Sequence, residues 1–328
     1  MQHIICLILV SLSMMFTSTL TMAENIDNNT IRKQALSTIG LIPATMPMAS
    51  HDTKKQIELG EKLYFETALS INQKQSCNSC HNILAGGHGV DGLPVSIGTL
   101  GSVGKRNAPS TWNAGFQFAQ NWDTSAQSLE EQAHKPLLDP NEMAMQSEAQ
   151  ILTRLESYRS AFEEAYTETK DPLSLQNVMH ALAAFQRTLI TRDRFDQFLR
   201  GDDNALSKIE KEGFIAFQKN GCLSCHSGPL MGGQFAMKMG LVIPYPNTED
   251  KGLGALTGRP SHNYLFKVPI LRNVANTAPY FHDGKGKTLE EAVFLTGWHQ
   301  LGKKMSEQEV KQITAFLKSL DNVQAYVQ

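Results

Sequence analysis

The sequence predicts an all-α fold arranged as two units, on three observations. Apolar residues recur at helical spacing in several stretches, and no segment alternates convincingly as a strand would. Capping signatures of the Ser/Thr-x-x-Glu kind stand ahead of such stretches at Ser128, Ser207, Thr288 and Ser306. One layout also occurs twice: an amphipathic helix followed by Cys-x-x-Cys-His, first at Cys77-Asn-Ser-Cys80-His81 and again at Cys222-Leu-Ser-Cys225-His226.

Taken in order, residues 1–23 read as an export signal. The run Ile4 to Phe16 is nearly all apolar, and Ala23 is a small residue ahead of Glu24. The run is shorter than the about 20 residues of a spanning helix, so cleavage and a periplasmic destination are expected, with Cys6 leaving in the signal. Residues 24–50 read as an N-terminal wrap or linker containing the Pro- and Met-bearing stretch Leu41 to Ser50.

The first domain is expected over 51–200. A short helix between Asp52 and Glu66 leads toward Cys77, and a Gly-rich loop follows from Gly86 to Asn107. Ile151, Leu155, Tyr158, Phe162 and Tyr166 then keep the spacing of one helix face, as do Leu175, Val178, Leu182, Phe185 and Leu189. The second domain is expected over 201–328. A helix from Ser207 carries Phe214 and Phe217 toward Cys222. A long Gly- and Pro-rich stretch from Ser227 to Phe281 has little periodicity and needs a large body to pack on. The last helix presents Val310, Ile313, Phe316, Leu317 and Leu320.

The chain has 328 residues, of which 41% are hydrophobic and 19% charged, enough for real cores and too apolar for wholesale disorder. Lys and Arg total 30 against 32 Asp and Glu, a formal net charge of −2, which argues against a nucleic-acid partner because no basic excess exists to neutralise phosphate.

Four cysteines in an exported chain ordinarily suggest disulfides, but here each pair is followed at once by histidine. Two thiols one helical turn apart can add to the two vinyl groups of one porphyrin, and the next imidazole reaches the iron from the same turn. A zinc site would give the repeated histidine no reason, and a thioredoxin-like pair needs a β-α-β setting. Cys77, Cys80 and His81 are therefore expected to hold one covalent c-type haem and Cys222, Cys225 and His226 a second, with His81 and His226 on the irons.

The chain resembles the bacterial dihaem cytochrome c peroxidases, together with the related dihaem enzymes that mature methylamine dehydrogenase. The residues that carry the likeness include Gly92-Leu-Pro-Val-Ser-Ile-Gly98, Arg106-Asn107, Asn121-Trp122-Asp123, Asn141-Glu142-Met143, Phe266-Lys-Val-Pro-Ile-Leu-Arg-Asn273 and Tyr280-Phe-His-Asp-Gly284. The resemblance implies two cytochrome c-like domains meeting at a calcium-binding interface, in a homodimer. It implies that hydrogen peroxide is reduced at the first haem with electrons entering at the second from a small cytochrome or cupredoxin. It gives Glu142 the acid/base role, Gln132 a place in the same pocket, Trp122 a place between the haems, and Asn107, Thr277 and Pro279 the calcium ion. Without the resemblance Glu142 is a solvated loop acid, Gln132 a helix-surface amide, and Trp122 a core residue.

Two positions depart from the family. Thr99 stands where many members carry a histidine that caps the first iron at rest, so an open first haem is expected, with His88 as a substitute cap. Thr296 stands where the second haem's methionine is usual. His299, one turn later, is the expected replacement, with Met305 as the rival. A dihaem oxidase acting on a protein or small organic substrate, and a non-catalytic electron carrier or sensor, are the competing functions. Glu142 as proton shuttle, with Gln132 as its polar partner, counts against the latter.

Overall fold

The computed structural model describes residues 27–324 and Tyr326, so the expected signal segment lies outside the described residues. The chain is helix-rich with little sheet. Its helices are α1 (Asn28–Thr38), α2 (Lys54–Tyr64), α3 (Cys77–Cys80), α4 (Leu129–Leu138), α5 (Glu148–Arg154), α6 (Arg159–Ala165), α7 (Leu175–Gln186), α8 (Arg194–Leu199), α9 (Lys208–Lys219), α10 (Leu253–Thr257), α11 (Leu289–Leu301) and α12 (Glu307–Lys318). No described helix is long and apolar enough to cross a membrane.

The capping signatures act as the sequence implies. Ser207 and Ser306 form reciprocal capping boxes with Glu210 and Glu309, while Ser128 and Thr288 accept from the amides of Glu131 and Glu291. Thr53 caps α2 in the same reciprocal way through Gln56.

Two hydrophobic cores organise the molecule. The first gathers Leu59, Leu63 and Tyr64 of α2, Ile151, Phe162, and Val178, Leu182 and Phe185 of α7. The second gathers Phe195 and Phe198 of α8, Phe214 and Phe217 of α9, and Ile313, Phe316 and Leu317 of α12. Each core is built on one close helix pair, α2 with α7 and α9 with α12. Glycine makes both approaches possible. A Cβ on Gly60 would lie 1.8 Å from the Ala181 carbonyl oxygen, and one on Gly213 would lie 2.0 Å from that of Gln312.

Three features differ from the sequence reading. The polar segment after the signal contains α1, capped by the Asp27 carboxylate, and its Ile31, Ala35 and Ile39 at four-residue spacing enter the second core. The first helix thus enters the same core as the last, α12. The face from Ile151 to Tyr166 is not one helix. It breaks at Leu155 (φ −97°, ψ 10°) into α5, a 3₁₀ turn and α6, and the turn preserves the apolar face. Two short strands also exist, β1 (Ala236–Lys238) and β2 (Leu265–Lys267), antiparallel with Met237 opposite Phe266. Three residues flanked by turns are too few to show alternation in sequence.

Candidate functional site

Each Cys-x-x-Cys-His turn is held from behind by its own core. In the first, His81 donates from Nδ1 to the Pro109 carbonyl at 3.0 Å and approaches that of Gly89 at 3.3 Å. Tyr64 Oη donates to the His81 carbonyl at 2.6 Å, which fixes the residue's backbone as well. In the second, His226 donates from Nδ1 to the Met231 carbonyl at 2.8 Å. Tying Nδ1 to a carbonyl selects the tautomer with Nε2 unprotonated and orients the ring, which is how metal-ligating imidazoles are commonly prepared. Burial pushes both imidazoles below their usual range, so both are neutral.

All four thiols are free. Burial pushes Cys77 and Cys222 up to about 12 and raises Cys80 as well, so these sulfurs sit in surroundings suited to uncharged species such as thioethers. Paired thiols outside any disulfide and an oriented Nε2 fit covalent c-type haem at both turns.

Beside the second turn lies a cavity of about 240 Å³ whose wall includes Cys222, Cys225, His226, Met237, Met239, Phe266, Val293, Thr296, Gln300 and Met305. No Asp or Glu side chain belongs to this wall. The aperiodic stretch after Ser227 supplies much of it, which explains why that stretch lacks a periodic face of its own. The wall extends to Asn107, Pro109, Trp122, Thr277 and Pro279, so it reaches the carbonyl that receives the His81 ring.

Trp122 is positioned on that wall by its own polar groups. Its Nε1 donates to the Asn107 carbonyl at 2.9 Å, and its carbonyl accepts from the Lys267 amide at 2.7 Å. Arg106 grips Asp123 on one side and Asp250 on the other, anchoring this loop to the second half of the chain. Lys267 is buried with its ammonium on the Ala119 carbonyl at 2.9 Å, and desolvation pushes it down to about 7. His282 stacks on Phe266 with ring centroids 4.1 Å apart, and its buried Nε2 has no partner among the described residues.

Asn107, Thr277 and Pro279 all belong to this same wall. Asn107 donates its amide nitrogen to the Leu93 carbonyl, leaving Oδ1 available, and Thr277 uses its hydroxyl on the Val274 carbonyl, leaving its main-chain oxygen. An all-oxygen donor set of this kind suits Ca²⁺.

At the first turn the acid is placed by the loop after α4, the helix that carries half-buried Gln132. Asp139 ends α4, its carboxylate accepts from the Asn141 amide at 2.8 Å, and its carbonyl accepts from the Glu142 amide at 3.0 Å. Two further contacts tie this turn to the segments that flank the first motif: the Thr99 amide donates to the Glu142 carbonyl, and the Ile71 amide to that of Met143. Gly98 is obligatory at the crossing, since a Cβ there would lie 2.0 Å from the Asn141 carbonyl oxygen. Glu142 remains exposed, yet neighbouring protein and then the charge of Asp139 push its carboxyl upward, with Lys135 opposing. Its charge in turn raises the Cys80 thiol, so Glu142 and the first motif share one electrostatic site.

The substitute ligands are placed less simply. His88 donates from Nδ1 to Asn273 Oδ1 at 2.9 Å and so bridges to the second half of the chain. His299 is not among the side chains of the cavity wall, whereas Met305 is. The His299 Nδ1 meets the Ile243 carbonyl at 3.0 Å and its ring meets Tyr245 edge-on. Sequence reasoning missed Tyr64 as the partner of the His81 carbonyl, because an aromatic at helical spacing reads as core. It also missed Lys267, which no motif logic distinguishes from a surface lysine.

A family model described as di-haem cytochrome c peroxidase matches residues 54–204. The chain is 38% identical to the cytochrome c551 peroxidase of Nitrosomonas europaea, over 96% of this chain and 90% of that one. It is 41% identical to the cytochrome c551 peroxidase of Pseudomonas aeruginosa, over 84% and 81%. Among solved structures, a MauG-like protein associated with microbial copper homeostasis superposes with a TM-score of 0.76 at 30% identity, covering 86% of this chain and 94% of that one.

Proposed function

Because the chain belongs to the di-haem cytochrome c peroxidase family, we propose that it is a periplasmic oxidoreductase that reduces hydrogen peroxide to water with electrons from a small soluble cytochrome or cupredoxin. The observation that carries this reading is the pinned turn that sets Glu142 beside the first haem motif. The proposal includes two covalent haems on His81 and His226, two cytochrome c-like domains, a calcium ion held by Asn107, Thr277 and Pro279, and assembly as a homodimer.

The haems supply electron storage and a peroxide-binding iron. The protein supplies proton handling and order. Glu142, ionised, takes a proton from the nearer peroxide oxygen and returns it to the farther one, so that water departs; its raised pKa brings it closer to the pH at which both steps are fast. Gln132 lines the same pocket as an uncharged hydrogen-bonding partner. Trp122 is held on the cavity wall by bonds to Asn107 and Lys267, and a ring fixed in this way suits an electron path between the haems that must not reorganise at each turnover. Arg106 preserves that placement through its two carboxylates.

Thr99 offers no imidazole and its amide is bound to the Glu142 carbonyl, so this position would leave a haem held by His81 without a capping ligand. Met305 lines the cavity wall and His299 does not, so a thioether such as that of Met305 would be favoured over His299 as a further ligand to a haem held by His226. Steady-state peroxide turnover with a reduced small cytochrome, with and without prereduction of the enzyme, tests the function. Activity that needs no prereduction is expected. Absence of peroxide turnover, with oxidation of a protein or small organic substrate in its place, would replace this reading by the oxidase one.

A further inference from the structure

A line of aromatic rings runs from the first haem motif to the surface. Tyr64, fully buried, donates its hydroxyl to the His81 carbonyl. Its ring meets Phe65 at 5.4 Å and Phe185 at 5.2 Å between centroids. Both phenylalanines in turn meet Tyr326, at 6.2 Å and 5.9 Å. Tyr326 comes from the far end of the chain, crosses onto the first core as a half-buried ring, and donates its hydroxyl to the carboxylate of Glu61.

Two features of this line suggest a purpose beyond packing. Its ends are tyrosines, which are far easier to oxidise than phenylalanine, so a charge can rest at either end while the phenylalanines fill the gap between. The outer tyrosine also has a proton acceptor already in place. A phenol that loses an electron becomes strongly acidic, and a hydrogen-bonded carboxylate takes the proton without any rearrangement. Tyr158 has a similar carboxylate partner in Glu66, but it shares no close ring pair with Tyr64 among the described residues. The Tyr166 and Phe162 stack leads instead to His180.

We propose that Tyr64, Phe65, Phe185 and Tyr326 form an electron-supply route to the first haem, with Tyr326 and Glu61 as a sacrificial donor pair when the protein donor is lacking. The proposal rests on the peroxidase reading. In the step, Tyr326 gives up one electron, which passes inward to the peroxide-oxidised first haem and leaves it reduced by one equivalent. The phenolic proton moves to the Glu61 carboxylate, and Tyr326 is left as a neutral phenoxyl radical at the surface. The benefit falls on Met143 and Met145, buried just after Glu142 in the chain, whose thioethers are oxidisable.

The test uses the full haem-loaded protein exposed to hydrogen peroxide without any electron donor. Freeze-quenched electron paramagnetic resonance should show a tyrosyl radical, and peptide mass spectrometry should find oxidised or dityrosine-linked Tyr326. Tyr326→Phe keeps the ring and its packing but should lose both signals, with a several-fold rise in sulfoxide at Met143 and Met145. Glu61→Gln should weaken the radical while leaving donor-fed turnover unchanged. An unaltered radical and unaltered methionine oxidation in Tyr326→Phe, with normal donor-fed turnover, would overturn the route alone. A wild-type protein with no peroxide turnover under any condition would overturn the peroxidase reading and this route with it.

Discussion

In the first half of the chain, α2 crosses α7 at Gly60 and delivers the chain to Cys77; in the second, α9 crosses α12 at Gly213 and delivers it to Cys222. Both histidines are oriented by an Nδ1 bond to a backbone carbonyl, Pro109 in one case and Met231 in the other. The surroundings then diverge. The first motif lies under a pinned turn bearing Glu142, whereas the wall beside the second has no carboxylate and is mostly apolar. On the proposed reading one scaffold serves two tasks: beside a carboxylate protons can move with electrons, and beside a wall without one only electrons need pass.

The sharpest way to break this contrast is to remove the proton carrier. Glu142→Gln keeps the size of the side chain and its backbone bonds to Thr99 and Asp139. It should cut peroxide turnover by about 10²- to 10⁴-fold, the usual scale for a general acid/base. Both haem absorption spectra should be unchanged. Near-normal turnover would make the two sites functionally equivalent and remove the basis for calling the first one peroxidatic.

The shared scaffold is tested by Gly60→Ala and Gly213→Ala. Alanine gains about 1 kcal/mol of helix propensity over glycine. That gain is outweighed, because the new methyl meets a rigid backbone carbonyl rather than a side chain that can swing away. Each change should lower stability by about 1–3 kcal/mol in denaturant titration, by similar amounts if the two helix crossings are equivalent. A large loss in one half only would show that the repeat is one of layout and not of energetics.

Much of this repeat was legible in the sequence, for identifiable reasons. The two haem motifs, the helix ahead of each and the capping boxes are all local patterns, and local patterns survive without tertiary context. Glu142 was legible only through the resemblance carried by Asn141-Glu-Met143, since the bonds that pin it come from Thr99 and Ile71, far away in sequence. α1 was hidden because its apolar stripe is only Ile31, Ala35 and Ile39 in a polar segment. The position of His299 was illegible in principle. Its spacing from Thr296 puts it one turn along α11, but whether its ring faces the cavity or the Ile243 carbonyl depends on a loop that the helix pattern does not describe.

That ring supplies the next test. With a wall thioether on the second iron, the weak far-red charge-transfer band of methionine-ligated ferric haem should be present, and His299→Gln should leave it in place. Met305→Leu should abolish the band and lower the potential of the second haem. A missing band in the wild type, together with a change to high spin in His299→Gln, would return His299 to the iron.

The smallest expected effect concerns the carboxylate itself. Glu142 is pushed upward by surrounding protein first and by the Asp139 charge second, while Lys135 pulls the other way. As a base it works only when ionised, so turnover must fall as pH drops through its pKa. Asp139→Asn removes the like charge but keeps the oxygen that accepts from the Asn141 amide, so the turn is preserved and only the electrostatics change. The pKa should then fall, and the acidic limb of the pH–rate profile should move to lower pH. Lys135→Gln removes the attraction that favours the ionised form and should move the same limb to higher pH. Both displacements should shrink with added salt, because Glu142 and Lys135 are exposed and charges in water are screened within about 10 Å at 0.1 M. Opposite shifts from the two variants, fading together as salt rises, would identify the limb as the titration of Glu142. Shifts of one sign, or none, would assign the limb to another group and leave the proton-carrying distinction between the two sites resting on Glu142→Gln alone.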